Sequence, residues 1–139
     1  MTRHNSTRDI FVEASRLSAP EPLLRTQWIK PGALVIPYGT MSAVELSRTD
    51  IMSKIVVDDW CRSGRFGALR AHVEAGKLSA ETLHAELGQI VAGLRPGRET
   101  EGETILLWHR GLSLSDIALG HALLAKAAPI GAGQRLRYA

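Results

Sequence analysis

The sequence predicts an α/β fold: the second half of a doubly wound parallel sheet, followed by a C-terminal helix and strand. Three observations carry that prediction. Short apolar runs rich in Ile, Val, Leu and aromatic residues recur at 9–14, 33–37, 55–58 and 104–108, the composition that suits a pleated surface. The run at 33–37 is apolar almost without a break, as expected of a strand covered on both faces. Between the runs lie stretches whose apolar residues recur at spacings of three and four, the period of a helix with one buried face.

Taken in order, residues 1–8, MTRHNSTR, are polar and read as a flexible N-terminus. In the strand at 9–14, Ile10, Phe11 and Val12 form the apolar centre, and residues 15–18 are the loop that follows. Leu23, Leu24, Trp28 and Ile29 suit a short helix over 20–30, which Pro31-Gly32 breaks. The strand at 33–37 runs into Tyr38-Gly39-Thr40. Residues 42–54 read as helix, with Ser42 as cap, Glu45 at the capping-box position, and Val44, Ile51 and Met52 on the inner face. The strand at 55–58 ends in Asp58-Asp59. Adjacent carboxylates suggest a metal or an acid/base pair, but neighbours on a strand point to opposite faces and no His or Cys stands at ligand spacing. Both are therefore read as solvated loop carboxylates, and no metal is expected. Residues 60–67 read as a loop, whose Arg62 or Arg65 either meets an anion or is simply solvated. A short helix over 68–75 follows, stopped by Gly76.

Leu83, Leu87, Ile90, Val91 and Leu94 fall on one face of a helix ending near Gly93, and Arg95-Pro96-Gly97-Arg98 stops it. Residues 99–102 are too polar for core, and the strand at 104–108 runs into His109-Arg110-Gly111. Ser113 or Ser115 can cap a helix over 116–127, whose broad apolar face is of the kind that packs on a sheet or another subunit. Residues 129–133 end it, and 134–138 read as a last strand. Gly131-Ala132-Gly133 is a helix-to-strand turn rather than a dinucleotide fingerprint, which needs a third glycine and a preceding strand. His72, His84 and His121 lie in helical stretches without an acid or nucleophile beside them, and read as residues at the boundary of the core.

Composition narrows the function classes. A chain of 139 residues with 45% apolar content suits one globular unit. Its net charge of +3 comes from 17 basic and 14 acidic residues spread without a long run, so no nucleic-acid partner is expected. Cys61 is the single cysteine, which excludes an internal disulfide, and it reads as a bystander rather than a nucleophile. No segment reaches the roughly 18 apolar residues of a membrane span, so a cytoplasmic protein without membrane contact is expected.

Several motifs stand in an order that resembles one family. Ala85-Glu86-Leu87-Gly88, Ile90-Val91-Ala92-Gly93 and Pro96-Gly97-Arg98 precede an apolar strand, and Gly111 and Asp116 open the helix after it. Upstream stand Trp28-Ile29-Lys30-Pro31-Gly32-Ala33 and Val56-Val57-Asp58-Asp59. From about residue 8 to 139 the chain resembles the C-terminal half of the ornithine cyclodeaminase and mu-crystallin family. The resemblance implies that residues 9–139 are a partial Rossmann-like, NAD(P)-binding domain.

It also implies a site at the carboxyl ends of the strands, where such sheets bind cofactors. Ser15, Gly39, Thr40, Gly111 and Asp116 are the implied cofactor contacts. The family carries an aspartate after the glycine matched by Gly39, and Thr40 occupies that position here. A threonine hydroxyl donates or accepts a hydrogen bond but is no proton shuttle with a carboxylate's pKa. Thr40 thus departs from ornithine cyclodeamination and leaves room for reduction of an imine or keto group. His109 joins Thr40 as a catalytic candidate, able to deliver a proton, and Arg110 can bind a carboxylate or phosphate. A His-Arg pair at that turn is itself a departure from relatives.

The expected function is therefore part of an NAD- or NADP-dependent oxidoreductase acting on an amino or imino acid. Its partners are a small amino-acid-like substrate and either a second copy or a missing N-terminal half. The family's substrate portion and glycine-rich phosphate turn are absent, so a truncated chain inactive alone is expected. The alternative is a non-enzymatic remnant or a partner-binding α/β domain.

Overall fold

The computed structural model describes residues 9–19, 21–38, 44–65, 69–134 and 136–137. The expected flexible N-terminus at 1–8 and the Ser42 cap lie outside these residues. Among the described residues five strands form one parallel sheet: β1 (Ile10–Glu13), β2 (Leu34–Pro37), β3 (Lys54–Val57), β4 (Ala85–Glu86) and β5 (Ile105–Trp108). Their spatial order is β1-β2-β5-β3-β4, so the last strand is inserted between the second and the third.

Position in the sheet explains each strand's pattern. All four residues of β3 are buried, since β5 and β4 flank it. β2 alternates between half-buried and buried residues, with Val35 and Pro37 inside. Among the described residues β1 lies at the edge of the sheet, paired with β2, and exposes Ile10 and Val12. Val35, Ile55, Val57, Leu106 and Trp108 from the sheet meet Val44, Leu69 and Leu78 in one core cluster. Full burial of such side chains contributes roughly 1.5–3 kcal/mol each.

The helices are shorter than their patterns suggest. The stretch expected to be helical over 20–30 keeps only a 3-10 turn, Thr26–Trp28, and Leu24 bridges to Val44 instead. The expected helix over 42–54 is a 3-10 segment, Leu46–Ile51, and Lys54 belongs to β3. The Glu45 Oε2 accepts from the Thr26 N–H at 2.6 Å, a tertiary bond that ties this segment to the preceding 3-10 turn. The expected loop at 60–67 contains a helical turn, α1 (Trp60–Ser63), because the Asp59 side chain accepts from the Arg62 N–H at its start. Next comes α2 (Arg70–Glu74), within the expected span.

The largest correction concerns 83–94. Ala85 and Glu86 pair with Val56 and Val57, and the His84 N–H donates to the Ile55 carbonyl at 2.9 Å. Sheet bonds claim these backbone groups, so the helix α3 (Leu87–Val91) starts only after them. Gln89 Oε1 accepts from the Glu86 N–H at 3.0 Å and closes its first turn. The pattern that suggested one long buried face fails at its end, where Val91 and Leu94 are 81% and 75% exposed.

The last helix, α4 (Ser113–Ala127), begins three residues earlier than expected, and neither Ser113 nor Ser115 caps it, because Leu112 holds the N-cap position. It buries no residue, and Leu114, Ile117, Leu119, Leu123 and Leu124 are exposed. Gly131 ends the following 3-10 turn in a left-handed conformation, as a helix-ending turn requires. The described residues of 134–137 include no strand. None of the described helices is long and apolar enough to cross a membrane.

A polar clasp closes the amino edge of the sheet. Lys54 opens β3 with its side chain only 9% exposed, and its Nζ donates to the Gly97 carbonyl at 2.7 Å and to Glu99 Oε2 at 2.6 Å. Glu103 Oε1 lies 3.0 Å away. Gly32 brings the backbone close on the same side: at φ 83, a Cβ there would overlap the Glu101 carbonyl oxygen. Hydrogen bonding to Glu99, reinforced by Glu103, holds the Lys54 ammonium above its ordinary 10.5 against the opposing effect of burial. The Glu99 N–H, with Lys54, holds the Glu103 carboxyl below its ordinary 4.5. A lowered acid stabilises the fold above its unfolded value and loses that contribution as pH falls through the folded one. A raised base stabilises below its unfolded value and loses the contribution as pH rises through the folded one. Lys54→Met therefore lowers the urea midpoint at neutral pH. The gap from wild type should narrow below about pH 4.5 and above about pH 10.5; a gap independent of pH would contradict the clasp.

Candidate functional site at the carboxyl edge

In a parallel sheet all strands end on one side, so the residues just after them converge. Ser15 follows β1, Tyr38 follows β2, Asp58 follows β3 and His109 follows β5. Register aligns them: Glu13 pairs with Pro37, and Val57 with Trp108. The Tyr38 N–H donates to the Glu13 carbonyl at 2.6 Å, and the Asp58 N–H to the Trp108 carbonyl at 3.3 Å.

Asp58 is not the solvated carboxylate expected from the sequence. Its side chain is 2% exposed. Oδ1 accepts from the Asp59 N–H at 2.8 Å and from the Ser63 hydroxyl at 3.1 Å, and Oδ2 accepts from the Arg110 N–H at 2.8 Å. His109 Nδ1 lies 3.3 Å from the same Oδ2. A buried carboxylate is tolerated when donors surround it, and here the end of β3, the first turn of α1 and the turn after β5 supply them. Asp59 behaves differently, capping α1 from a more open position.

The His109 ring, a quarter exposed, packs edge-on against Tyr38 with centroids 4.8 Å apart. Three strand ends thus hold one imidazole: its own, the aromatic ring after β2 and the carboxylate after β3. Gly111, two residues on, takes φ 83, and among the described residues nothing lies within 4 Å of where a Cβ would stand. Ser15 is exposed, its N–H donating to Glu13 Oε1 at 2.7 Å. Asp116 stands exposed in the first turn of α4. Gly39 and Thr40 lie outside the described residues.

Sequence reasoning selected His109 but missed its neighbours. Asp58 was weighed only against Asp59, and nothing in the local pattern announced that β5 would be inserted next to β3. Tyr38 carried no motif at all. His72, expected at the core boundary, is fully buried, with Nε2 3.2 Å from the Glu45 carbonyl oxygen. His84 Nε2 lies 2.8 Å from the Pro96 carbonyl oxygen and His121 is exposed, so neither joins the edge.

A profile of the ornithine cyclodeaminase/mu-crystallin family matches residues 4–128. The chain belongs to that family. It is similar to an N-((2S)-2-amino-2-carboxyethyl)-L-glutamate dehydrogenase of Staphylococcus aureus, 34% identical over 110 residues, which are 77% of this chain and 32% of the relative. A Delta(1)-pyrroline-2-carboxylate reductase of Bacillus thuringiensis is 30% identical over 138 residues, 96% of this chain and 42% of the relative. Among solved structures, the Thermococcus litoralis Delta(1)-pyrroline-2-carboxylate reductase, in complex with NADH and L-proline, superposes with a TM-score of 0.81 at 25% identity. That match covers 95% of this chain and 42% of the other. The chain therefore spans about a third to two-fifths of the length of these family members.

Removing the carboxylate tests whether the edge depends on it. Asp58→Ala leaves several buried donors without an acceptor and should destabilise the fold by about 3 kcal/mol. Asp59→Ala removes only a helix cap, worth about 1 kcal/mol. Urea denaturation compares the two, and equal losses would mean that Asp58 is no more than a second cap.

Proposed function

We propose that this chain is part, the C-terminal half, of an NAD- or NADP-dependent oxidoreductase acting on an amino or imino acid. The observation that supports it best is the convergence of Tyr38, Asp58 and His109 on one edge of a parallel sheet, in a family whose compared members are a dehydrogenase and two reductases. Within this reading, residues 9–139 are one partial nucleotide-binding unit. A nicotinamide bound there would supply or accept a hydride. The residues present fit such a group: no described residue crowds the Cβ position of Gly111, Ser15 is exposed, and the Tyr38 and His109 rings border the edge.

The chain's own residues divide the remaining work. His109 holds or moves the proton that accompanies hydride transfer. Arg110, the next residue along the chain, is assigned to a substrate carboxylate or phosphate. Thr40, two residues beyond Tyr38, is assigned a hydrogen-bonding role and not proton transfer, which favours reduction over cyclodeamination. Ser15, Gly39 and Asp116 complete the assignment to the cofactor side.

A second reading is favoured by a different observation. The apolar side chains of α4 and the outer edge of β1, which no described strand pairs and where Ile10 and Val12 are exposed, are surfaces of the kind that partners cover. On this reading the chain is a partner-binding α/β unit.

Thermal unfolding of the full chain with NADH or NADPH separates the two. At a hundredfold excess over the dissociation constant, a bound cofactor stabilises by about 2.7 kcal/mol and raises the melting temperature. A transition unmoved by either cofactor, together with concentration-dependent self-association, would replace the first reading with the second.

A further inference from the structure

We propose that Asp58 is a positioning residue that holds His109 in its Nδ1–H form, so that proton exchange at the carboxyl edge runs through Nε2. The functional part of this proposal rests on the oxidoreductase reading; the tautomer itself does not.

An ionised carboxylate only accepts hydrogen bonds. Asp58 already faces three donors, the Asp59 N–H, the Ser63 hydroxyl and the Arg110 N–H, which is the environment of a charged acceptor. His109 Nδ1 stands 3.3 Å from Oδ2, and the carboxylate's negative charge at that distance favours a hydrogen over a lone pair on that nitrogen. In water the neutral histidine ring prefers its hydrogen on Nε2, and the partner of one ring nitrogen decides the state of the other. Asp58 thus selects the form that is less common in solution and leaves the Nε2 lone pair free. Two further contacts fix the ring's place. The Arg110 N–H bond anchors the backbone one residue beyond His109, and Tyr38 packs edge-on against the imidazole. Neither contact uses Nε2.

The chemistry then balances. In the reductive direction a doubly protonated His109 gives its Nε2 proton to the nitrogen of an imine, or the oxygen of a ketone. A reduced nicotinamide, when bound, would supply the hydride to the carbon, and the π pair of the C=N or C=O bond becomes the new bond to that proton. His109 is left neutral with its hydrogen on Nδ1, facing Asp58. Oxidation reverses each step. The arrangement follows the general logic by which a buried carboxylate sets the tautomer of a catalytic imidazole.

Long-range proton–nitrogen correlation spectra of the isotope-labelled full chain test the proposal without any turnover. His109→Gln identifies the ring's signals by their loss. For the neutral wild-type ring we expect a pyrrole-like Nδ1 and a pyridine-like Nε2. In Asp58→Asn the amide can turn a donor toward the ring, and the two signatures should exchange. Ser63→Ala, which removes a donor from the other carboxylate oxygen, should leave them in place. A wild-type ring with its hydrogen on Nε2 overturns the proposal whether or not any variant folds. An Nδ1–H form that persists in a folded Asp58→Asn chain overturns the role of Asp58. Adding NADH to the same sample keeps the two readings apart. An Nδ1–H ring with no response to NADH or NADPH counts against the cofactor reading alone, and a cofactor response with an Nε2–H ring counts against the positioning role alone.

Discussion

The carboxyl edge of this sheet depends on the burial of one charge. Asp58 ends a strand whose four residues are all inside, so its side chain has little access to water and must be satisfied by protein. The donors come from three separate pieces of chain: the next backbone amide, a hydroxyl one helical turn on, and the amide of Arg110 far along the sequence. Leaving such a group unpaired is far more unfavourable than any single bond is favourable. The turn after β5 is consequently tied to the end of β3, and that tie carries His109 to its place beside Tyr38.

The opposite edge solves a matching problem with the opposite charge. Lys54 opens the same strand, is equally enclosed, and is met by Glu99, Glu103 and the Gly97 carbonyl from the loop before β5. β3 and β5 are thus fastened together at both ends, by a buried cation on one side and a buried anion on the other. Only the anion brings a titratable ring with it. The strands between the two edges are filled by Val, Ile, Leu and Trp side chains, which supply adhesion but little choice of register. Polar groups that tolerate a single set of partners supply that choice.

Much of the fold was legible because strand composition is a local property. The runs around Phe11, Val35, Val56 and Leu106 are strands in the structure as in the sequence, and the family motifs lie along the same order. The helices were harder to read, because their apolar spacing is satisfied by other means. Ala85 and Glu86 join the sheet, leaving a helix of five residues where a longer one was expected. The site was legible only in part. His109 and Gly111 could be selected by their place after an apolar strand. Asp58 could not be assigned its role, because that role depends on β5 lying next to β3 and not at the edge.

Amide hydrogen exchange at Arg110 tests this dependence most directly. Arg110 lies outside regular secondary structure, in a turn that would exchange quickly if it were held only by its neighbours in sequence. If the buried carboxylate of Asp58 fixes the turn, the Arg110 amide should open only with the sheet, with protection comparable to that of Leu106 and Trp108 in β5. Protection near that of an unstructured peptide, with β5 still slow, would contradict the account: the carboxyl edge would then be held by something other than Asp58.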